Sequence, residues 1–141
     1  MSIVLKFPSN PRTRPVTLPA STTFSADSAV TNGSGSITAA INSTIRIMGI
    51  LQLAIAATDS DYATSGKKKN ILIDEDGEWL CTTVGTAVAA DEQLYVDFSD
   101  SVTIDRAATT TDTFFVTRFV STVLLIGIFT SWSHRYSPAA D

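Results

Sequence analysis

Short stretches that alternate apolar and polar residues, separated by turn residues, run from about Thr38 to Phe129 and constrain the fold more than any other feature. A two-residue period places alternate side chains on opposite faces of a strand. No window of about a dozen residues carries the stripe of an amphipathic helix, although TAVAADEQ is compatible with one helical turn. We predict strands in TIRIMGILQLAIA, NILID, EWLCTTV, QLYVDF, SVTID, TFFVTRFV and TVLLIGIF. The sequence therefore predicts an all-β chain, folded as a small antiparallel β-barrel or sandwich with an extended N-terminal arm.

The last predicted strand, TVLLIGIF, is apolar on both faces. A strand of this kind belongs in the centre of a sheet or beneath another subunit. The run that precedes it adds apolar residues on both faces, more than a body of this size readily covers. We therefore predict a homotrimer. The residues assigned to its subunit contact are Phe115, Phe119, Leu125 and Phe129.

The first 36 residues differ from the rest in backbone chemistry. Four of the 5 prolines, Pro8, Pro11, Pro15 and Pro19, lie in this leader. Each proline fixes φ and removes a hydrogen-bond donor, which argues against an independent helix or a central strand. The linker NGSGS then precedes the first strong strand pattern. We predict an extended N-terminal arm over residues 1–36, a β domain over residues 37–131 and a C-terminal tail over residues 132–141.

The leader also differs in charge. Residues 1–26 contain Lys6, Arg12 and Arg14 and no acid, whereas the rest of the chain carries all 14 acidic residues and a net charge of −7. Three positive charges without interleaved aromatic residues are too few for a nucleic-acid footprint, so we predict no nucleic-acid partner. The most apolar stretch, residues 123–129, is far shorter than the roughly 20 residues that cross a bilayer as a helix, so we predict no membrane association.

Two interpretations of the leader remain open: a disordered tail, or an arm that lies on another subunit. Its apolar residues favour the arm, because an idle tail gains nothing from them. We expect the arm to be disordered in the free chain and to become extended on its partner. The residues assigned to this contact are Ile3, Leu5 and Phe7, which would fill pockets or join a sheet edge, and Arg12 and Arg14, which would pair with acidic groups of the partner.

The stretch ILIDEDGEWLC places four carboxylates and a glycine between two apolar runs. A calcium loop that begins at Asp74 would need glycine at its sixth position and glutamate at its twelfth, but these positions hold Trp79 and Gly85. Asp-Gly between two strands is typical of a tight antiparallel turn, in which glycine is free to adopt a positive φ. We therefore predict that Asp74–Gly77 is a hairpin tip and not a cation site.

Other catalytic patterns are incomplete. His134 is the only histidine, which excludes a two-histidine metal site within one chain. Cys81 is the only cysteine, and its predicted strand face, shared with Trp79, favours a small buried hydrophobic residue over a nucleophile. Neither a nucleophile elbow nor a phosphate-binding loop is present. We predict that the protein is not an enzyme and has no metal or cofactor.

The succession DSDYATSGKKKNILIDEDGEWLC, GTAVAADEQLYVDF, SVTID and FFVTRFVSTVLLIGIF resembles the β-rich decoration, or cement, proteins of tailed-bacteriophage heads. In that class small β domains sit on the capsid, often as trimers, and extended arms can staple neighbouring capsid subunits. The resemblance covers roughly residues 45–130. It implies a virion structural protein whose partner is the major capsid protein, made in the host cytoplasm and located on the capsid surface.

A different function also remains open. A carbohydrate-binding or host-recognition β module of a phage tail or fibre would present exposed aromatic residues as a stacking platform. The candidates for that platform are Tyr62, Trp79, Tyr95, Trp132 and Tyr136.

Overall fold

The computed structural model describes residues 1–133 and is almost entirely β. Its strands are β1 (Ile3–Phe7), β2 (Arg12–Thr17), β3 (Ser28–Asn32), β4 (Ile37–Ala39), β5 (Gly49–Leu51), β6 (Lys68–Ile73), β7 (Glu78–Val84), β8 (Tyr95–Asp100), β9 (Thr103–Asp105), β10 (Phe114–Ser121) and β11 (Leu124–Phe129). One turn of 3₁₀-helix, Ala89–Asp91, lies within TAVAADEQ, the stretch whose sequence is compatible with one helical turn. The predicted all-β class is confirmed.

Five strands form a closed barrel in the order β7, β11, β10, β8 and β9. The parallel pairing of β9 with β7, from Thr82 opposite Thr103 to Val84 opposite Asp105, closes the ring, and the other pairings are antiparallel. Strand β1 pairs with the first half of β7, beside the barrel. The predicted small β-barrel is therefore confirmed.

The remaining strands form a second sheet in the order β2, β6, β5, β3 and β4. One contiguous apolar core takes residues from both sheets. At its centre the ring of Phe129 lies 5.0 Å from that of Phe114, 5.7 Å from that of Phe98 and 5.9 Å from that of Trp79. Aromatic pairs at these separations stabilise a core beyond the area that they bury.

The predicted long strand over residues 44–56 is wrong. Only Gly49–Leu51 is a strand, and isolated bridges join Ile47 to Trp132 and Ile55 to Phe24. The apolar alternation in this segment serves three short pairings with different partners, so no single ladder forms. The shorter prediction EWLCTTV, in contrast, coincides with β7.

The leader is extended, as predicted, but it is not an arm separate from the body. Strand β1 pairs with β7, and β2 pairs with β6 along its whole length. The expectation that the free leader is disordered is therefore wrong for these strands. The prolines are accommodated because Pro8 and Pro11 lie in the connection between β1 and β2, and β2 is an edge strand, where a missing donor is tolerated.

Neither predicted domain boundary separates structural units. The boundary at residue 36 falls inside the turn between β3 and β4, which pair with each other. The boundary at residue 132 falls on a buried tryptophan that is bridged to Ile47. The rest of the predicted tail, including His134 and Tyr136, lies outside the described residues.

Candidate interaction surface on the barrel

Strand β11 carries apolar side chains on both faces. Leu125 and Phe129 are 0% and 2% exposed and belong to the core. Leu124, Ile126 and Ile128 alternate with them and point to the outside of the barrel. Ile126 is 5% exposed but is not part of the core cluster, so side chains on the outside of the barrel cover it.

A first row of side chains crosses four strands on this outside. Ile126 pairs with Leu80 of β7 on one side and with Arg118 of β10 on the other. Leu80 in turn pairs with Val4 of β1, which is exposed. Directly opposed residues of neighbouring strands point to the same face of a sheet, so these four side chains form one continuous row.

A second row lies beside the first. Phe115 of β10 pairs with Tyr95 of β8 and with Ile128 of β11. The rings of Tyr95 and Phe115 are 4.8 Å apart, and half of Tyr95 is exposed. We call the apolar members of the two rows the outer barrel face: Val4, Leu80, Tyr95, Phe115, Ile126 and Ile128.

One ion pair lies within this surface. Glu78 Oε1 accepts hydrogen bonds from Thr117 Oγ1 at 2.6 Å and from Arg118 Nε at 3.4 Å. The Arg118 guanidinium also lies 4.7 Å from the ring centre of Phe7, a cation–π contact. Glu78 and Arg118 therefore compensate each other's charge at this place on the surface.

The four residues that the sequence assigns to the subunit contact lie in different environments. Phe115 lies on the outer barrel face. Phe119 is half-buried and packs against the core, opposite Leu125. The assignment of Leu125 and Phe129 is wrong, because both fill the core of their own chain. Irregularities in the pairing of β10 with β11 shift which residues point inward, and apolar content alone does not reveal such shifts.

The apolar leader residues that the sequence assigns to a partner also differ in burial. Ile3 is fully buried and Leu5 is packed against the core, so the assignment of Ile3 to a partner pocket is wrong. Phe7 is exposed beneath the guanidinium described above. These positions follow from the pairing of β1 with β7, which turns Ile3 and Leu5 toward the core and Phe7 outward.

The two leader arginines have different environments. Arg12 pairs with Glu75 of its own chain through two hydrogen bonds of 2.7 and 2.6 Å, and its pairing with an acidic group of a partner stays a prediction. These hydrogen bonds raise the pKa of Arg12 above its ordinary value. Arg14 lies on the same edge strand and is exposed.

Asp74 has a structural role that the sequence did not reveal. Its carboxylate is fully buried and accepts the backbone N–H groups of Ser9 at 2.8 Å and Asn10 at 3.1 Å. It therefore holds the connection between β1 and β2 against the body. Its partners lie 65 and 64 residues away in sequence, so no local pattern could identify them.

The predicted turn at Asp74–Gly77 exists, since Gly77 N–H donates to the Asp74 carbonyl at 3.3 Å. It is not a hairpin tip, however, because β6 and β7 belong to different sheets. Gly77 does not adopt a positive φ either. Glycine is required here because a Cβ would lie 2.6 Å from the Asp74 carboxyl carbon and 2.8 Å from Leu5 Cδ1.

Two further buried carboxylates hold loops in place. Asp97 accepts three N–H groups of residues 110–112 at 2.8–2.9 Å. Burial alone would raise the pKa of Asp97, but these hydrogen bonds keep it below its ordinary value. Two 2.7 Å hydrogen bonds from Arg106 lower the pKa of Asp91. Asp97 and Asp91 therefore have structural roles.

The remaining candidates for chemistry or ligand binding are mostly in the core. Cys81 is fully buried, and burial raises the pKa of its thiol well above the ordinary value. Trp79 and Trp132 are fully buried, which removes both tryptophans from the proposed stacking platform and leaves Tyr95 exposed and Tyr62 half-buried. Within residues 1–133, no group of three acidic, histidine or cysteine side chains is arranged to hold a metal ion. The same residues form no helix that is long and apolar enough to cross a membrane.

No protein-family model matches the chain, and no curated protein matches it significantly.

Proposed function

We propose that the protein is a virion structural protein that binds and stabilises the assembled head of a tailed bacteriophage as a decoration, or cement, protein. The observation that supports this proposal is the outer barrel face. Apolar side chains cover the outside of the barrel across neighbouring strands, and Val4 and Tyr95 at the two edges are exposed, which is compatible with a protein–protein contact. Such a surface suits a protein whose role is to lie against other subunits. The resemblance of residues 45–130 to the decoration class supplies the kind of assembly.

The proposed partner is the major capsid protein, on the capsid surface, after synthesis in the host cytoplasm. We further propose that the protein acts as a homotrimer. The groups that we assign to the shell contact are Lys6 and Arg14, because both are exposed cations of the leader. Opposite charges across an interface steer association and fix its register.

Decoration would stabilise the head by mass action. A partner that binds the assembled shell and not its separated subunits stabilises the shell by RT ln(1 + [L]/Kd), where [L] is its free concentration. The stabilisation therefore rises with the concentration of the decorating protein and saturates when its sites are full.

The test is a binding experiment with undecorated heads. We expect the protein to co-sediment with the heads at a saturating stoichiometry and to raise the temperature at which they break. Electron micrographs should show added density at fixed lattice positions. Absence of binding to heads that the same virus assembles would contradict the proposed function.

The leader assignment has its own test in the same assay. Lys6→Glu combined with Arg14→Glu should weaken attachment, and more strongly at low salt than at high salt, because salt screens charges between exposed groups. Lys68→Glu, which reverses an exposed charge on β6, is the control and should weaken it less. Equal effects of the two changes would contradict the leader assignment and leave the decoration function standing.

A carbohydrate-binding module is the second candidate. The observation in its favour is the exposed pair of Tyr95 and Phe115, whose rings could stack on a sugar. Binding to a glycan array that is lost in Tyr95→Ala would favour this function over decoration.

A further inference from the structure

We propose that a cleft beside β2 binds an extended segment of a partner protein, and that an acidic side chain of this segment pairs with Arg14. The cleft lies between β2 and the turn that joins β3 to β4. It is lined by residues 14–17, by residues 32 and 35–37, and by Met48, and we call it the edge cleft. This inference rests on the proposed function and deepens it, because it names the chemistry that Arg14 would recognise on the shell.

The outer edge of β2 carries unpaired backbone groups. The hydrogen bond from Leu18 N–H to the Lys67 carbonyl sets the phase of the pairing between β2 and β6. In an antiparallel pair, hydrogen-bonded residues alternate with residues whose backbone groups point away from the partner strand. Thr13 and Thr17 therefore turn N–H and C=O outward, and Pro15 turns its C=O outward. The described part of the chain places no strand on that side of β2, so an extended segment can pair there as an added strand.

Arg14 has a charge that its own chain does not compensate. It is exposed, and within residues 1–133 its guanidinium takes part in no hydrogen bond or ion pair. Arg12, on the same side of the strand, instead forms two hydrogen bonds with Glu75. A guanidinium has five donors in a fork that matches the two oxygens of a carboxylate. A carboxylate is therefore the group that Arg14 is suited to bind.

The charges around the edge cleft favour an acidic partner. Arg14 is the only charged residue among the described residues that line the cleft. On β6, which pairs with β2, Lys69 is compensated by Asp61 at 2.9 Å. Lys68 of the same strand is exposed and has no ion pair within residues 1–133. This edge is therefore positive in a chain whose net charge is −4, and it attracts an acidic segment.

The size and lining of the edge cleft limit what can enter it. Its volume of about 240 Å³ is below the roughly 300–1,000 Å³ of a small-molecule site, so it has room for a side chain and not for a cofactor. Its apolar members are Val16 and Ile37, which are buried, and Met48, which packs against the core. A glutamate fits this lining, because it combines an apolar stem with a charged end.

The test measures binding of the peptide acetyl-Thr-Val-Glu-Val-Thr-amide to the full chain by NMR titration, without phage heads. We expect saturable shifts of the backbone N–H signals of Thr13, Thr17 and Gly35. The same peptide with glutamine in place of glutamate should bind about tenfold more weakly, because hydrogen bonds to a charged acceptor are the stronger ones. Salt should weaken binding of the glutamate peptide more than that of the glutamine peptide.

Two variants test the role of Arg14. Arg14→Gln should bind both peptides alike, at the affinity of the glutamine peptide. Its fold, checked by circular dichroism, should be unchanged, because Arg14 makes no polar contact within residues 1–133. Arg12→Gln is the matched control: it removes the same charge from the same strand and should keep the preference for glutamate. A preference that survives Arg14→Gln, or that Arg12→Gln removes equally, would overturn the inference.

The same measurements distinguish other occupants. If N-acetylglutamate amide bound as tightly as the peptide, the cleft would be a site for a carboxylate only, and the extended segment would be wrong. Self-association without peptide, measured by light scattering and lost in Arg14→Gln, would show that a second copy supplies the acid. Failure of the glutamate peptide to bind would overturn the inference and leave co-sedimentation with phage heads, the test of decoration, unaffected.

Discussion

Replacing Asp74 by alanine should destabilise the protein, although the sequence predicts a solvated turn where the change would have little effect. The change removes two hydrogen bonds from backbone N–H groups to a buried carboxylate. Hydrogen bonds to charged groups contribute about 1.5–3 kcal/mol each. Ser9 and Asn10 are exposed, so water replaces part of the loss. We therefore expect the free energy of unfolding to fall by about 2–4 kcal/mol.

The assay is thermal and urea unfolding followed by circular dichroism. At roughly 3–4 °C per kcal/mol for a chain of this length, Tm should fall by about 6–16 °C. The Tm of Asp74→Asn should lie between those of the unchanged protein and Asp74→Ala, because an amide oxygen still accepts one N–H but carries no charge. Glu75→Ala, in the same turn, is the matched control and should cost at most about 1 kcal/mol, as expected for a surface ion pair.

Two results would refute this reasoning. The first is a free energy of unfolding for Asp74→Ala within about 0.5 kcal/mol of that of the unchanged protein, which is the range of ordinary surface substitutions. It would show that the carboxylate does not stabilise the connection between β1 and β2. A rise in Tm on adding calcium that disappears in Asp74→Ala would instead restore the cation-site interpretation, because a ligand of the folded state must stabilise it.

Deletion of residues 2–20 should unfold the body, measured by circular dichroism, because it removes Ile3 and two paired strands; a folded truncated protein would show that the leader is dispensable. Gly77→Ala should cost about 1–3 kcal/mol in urea unfolding, because its Cβ overlaps the Asp74 carboxylate. Asp97 has a pKa below its ordinary value, so its contribution to stability is present above about pH 4 and is lost as pH falls through the lowered pKa. Asp97→Asn should flatten that acid loss in unfolding titrations. Cys81 should resist thiol reagents until the chain unfolds; rapid labelling of the folded protein would contradict its burial.

The strands from β6 to β11 could be predicted from the sequence alone. Their alternating pattern is local, since a strand with one buried face shows it in half a dozen residues. In EWLCTTV the alternation places Trp79 and Cys81 on one face and Leu80 on the other, and the structure has this arrangement. The same pattern could have identified Leu80 as part of an outer surface.

The partners of the leader depended on the tertiary structure. Ile3 lies opposite Cys81 and Arg12 lies opposite Ile73, at separations that no local window covers. Proline content is compatible both with a free arm and with an edge strand, because both leave the missing donor unpaired. Only the pairing of β2 with β6 decides between them, and it turns a predicted arm into part of the fold.

The outer barrel face shows the same division. The sequence determined that TVLLIGIF is apolar on both faces, which is a property of composition. The tertiary structure decided that Leu125 and Phe129 fill the core while Ile126 and Ile128 meet Leu80 and Phe115 outside. The physical reason is that the direction of a side chain depends on strand register and bulges, and a shift of one residue exchanges the two faces.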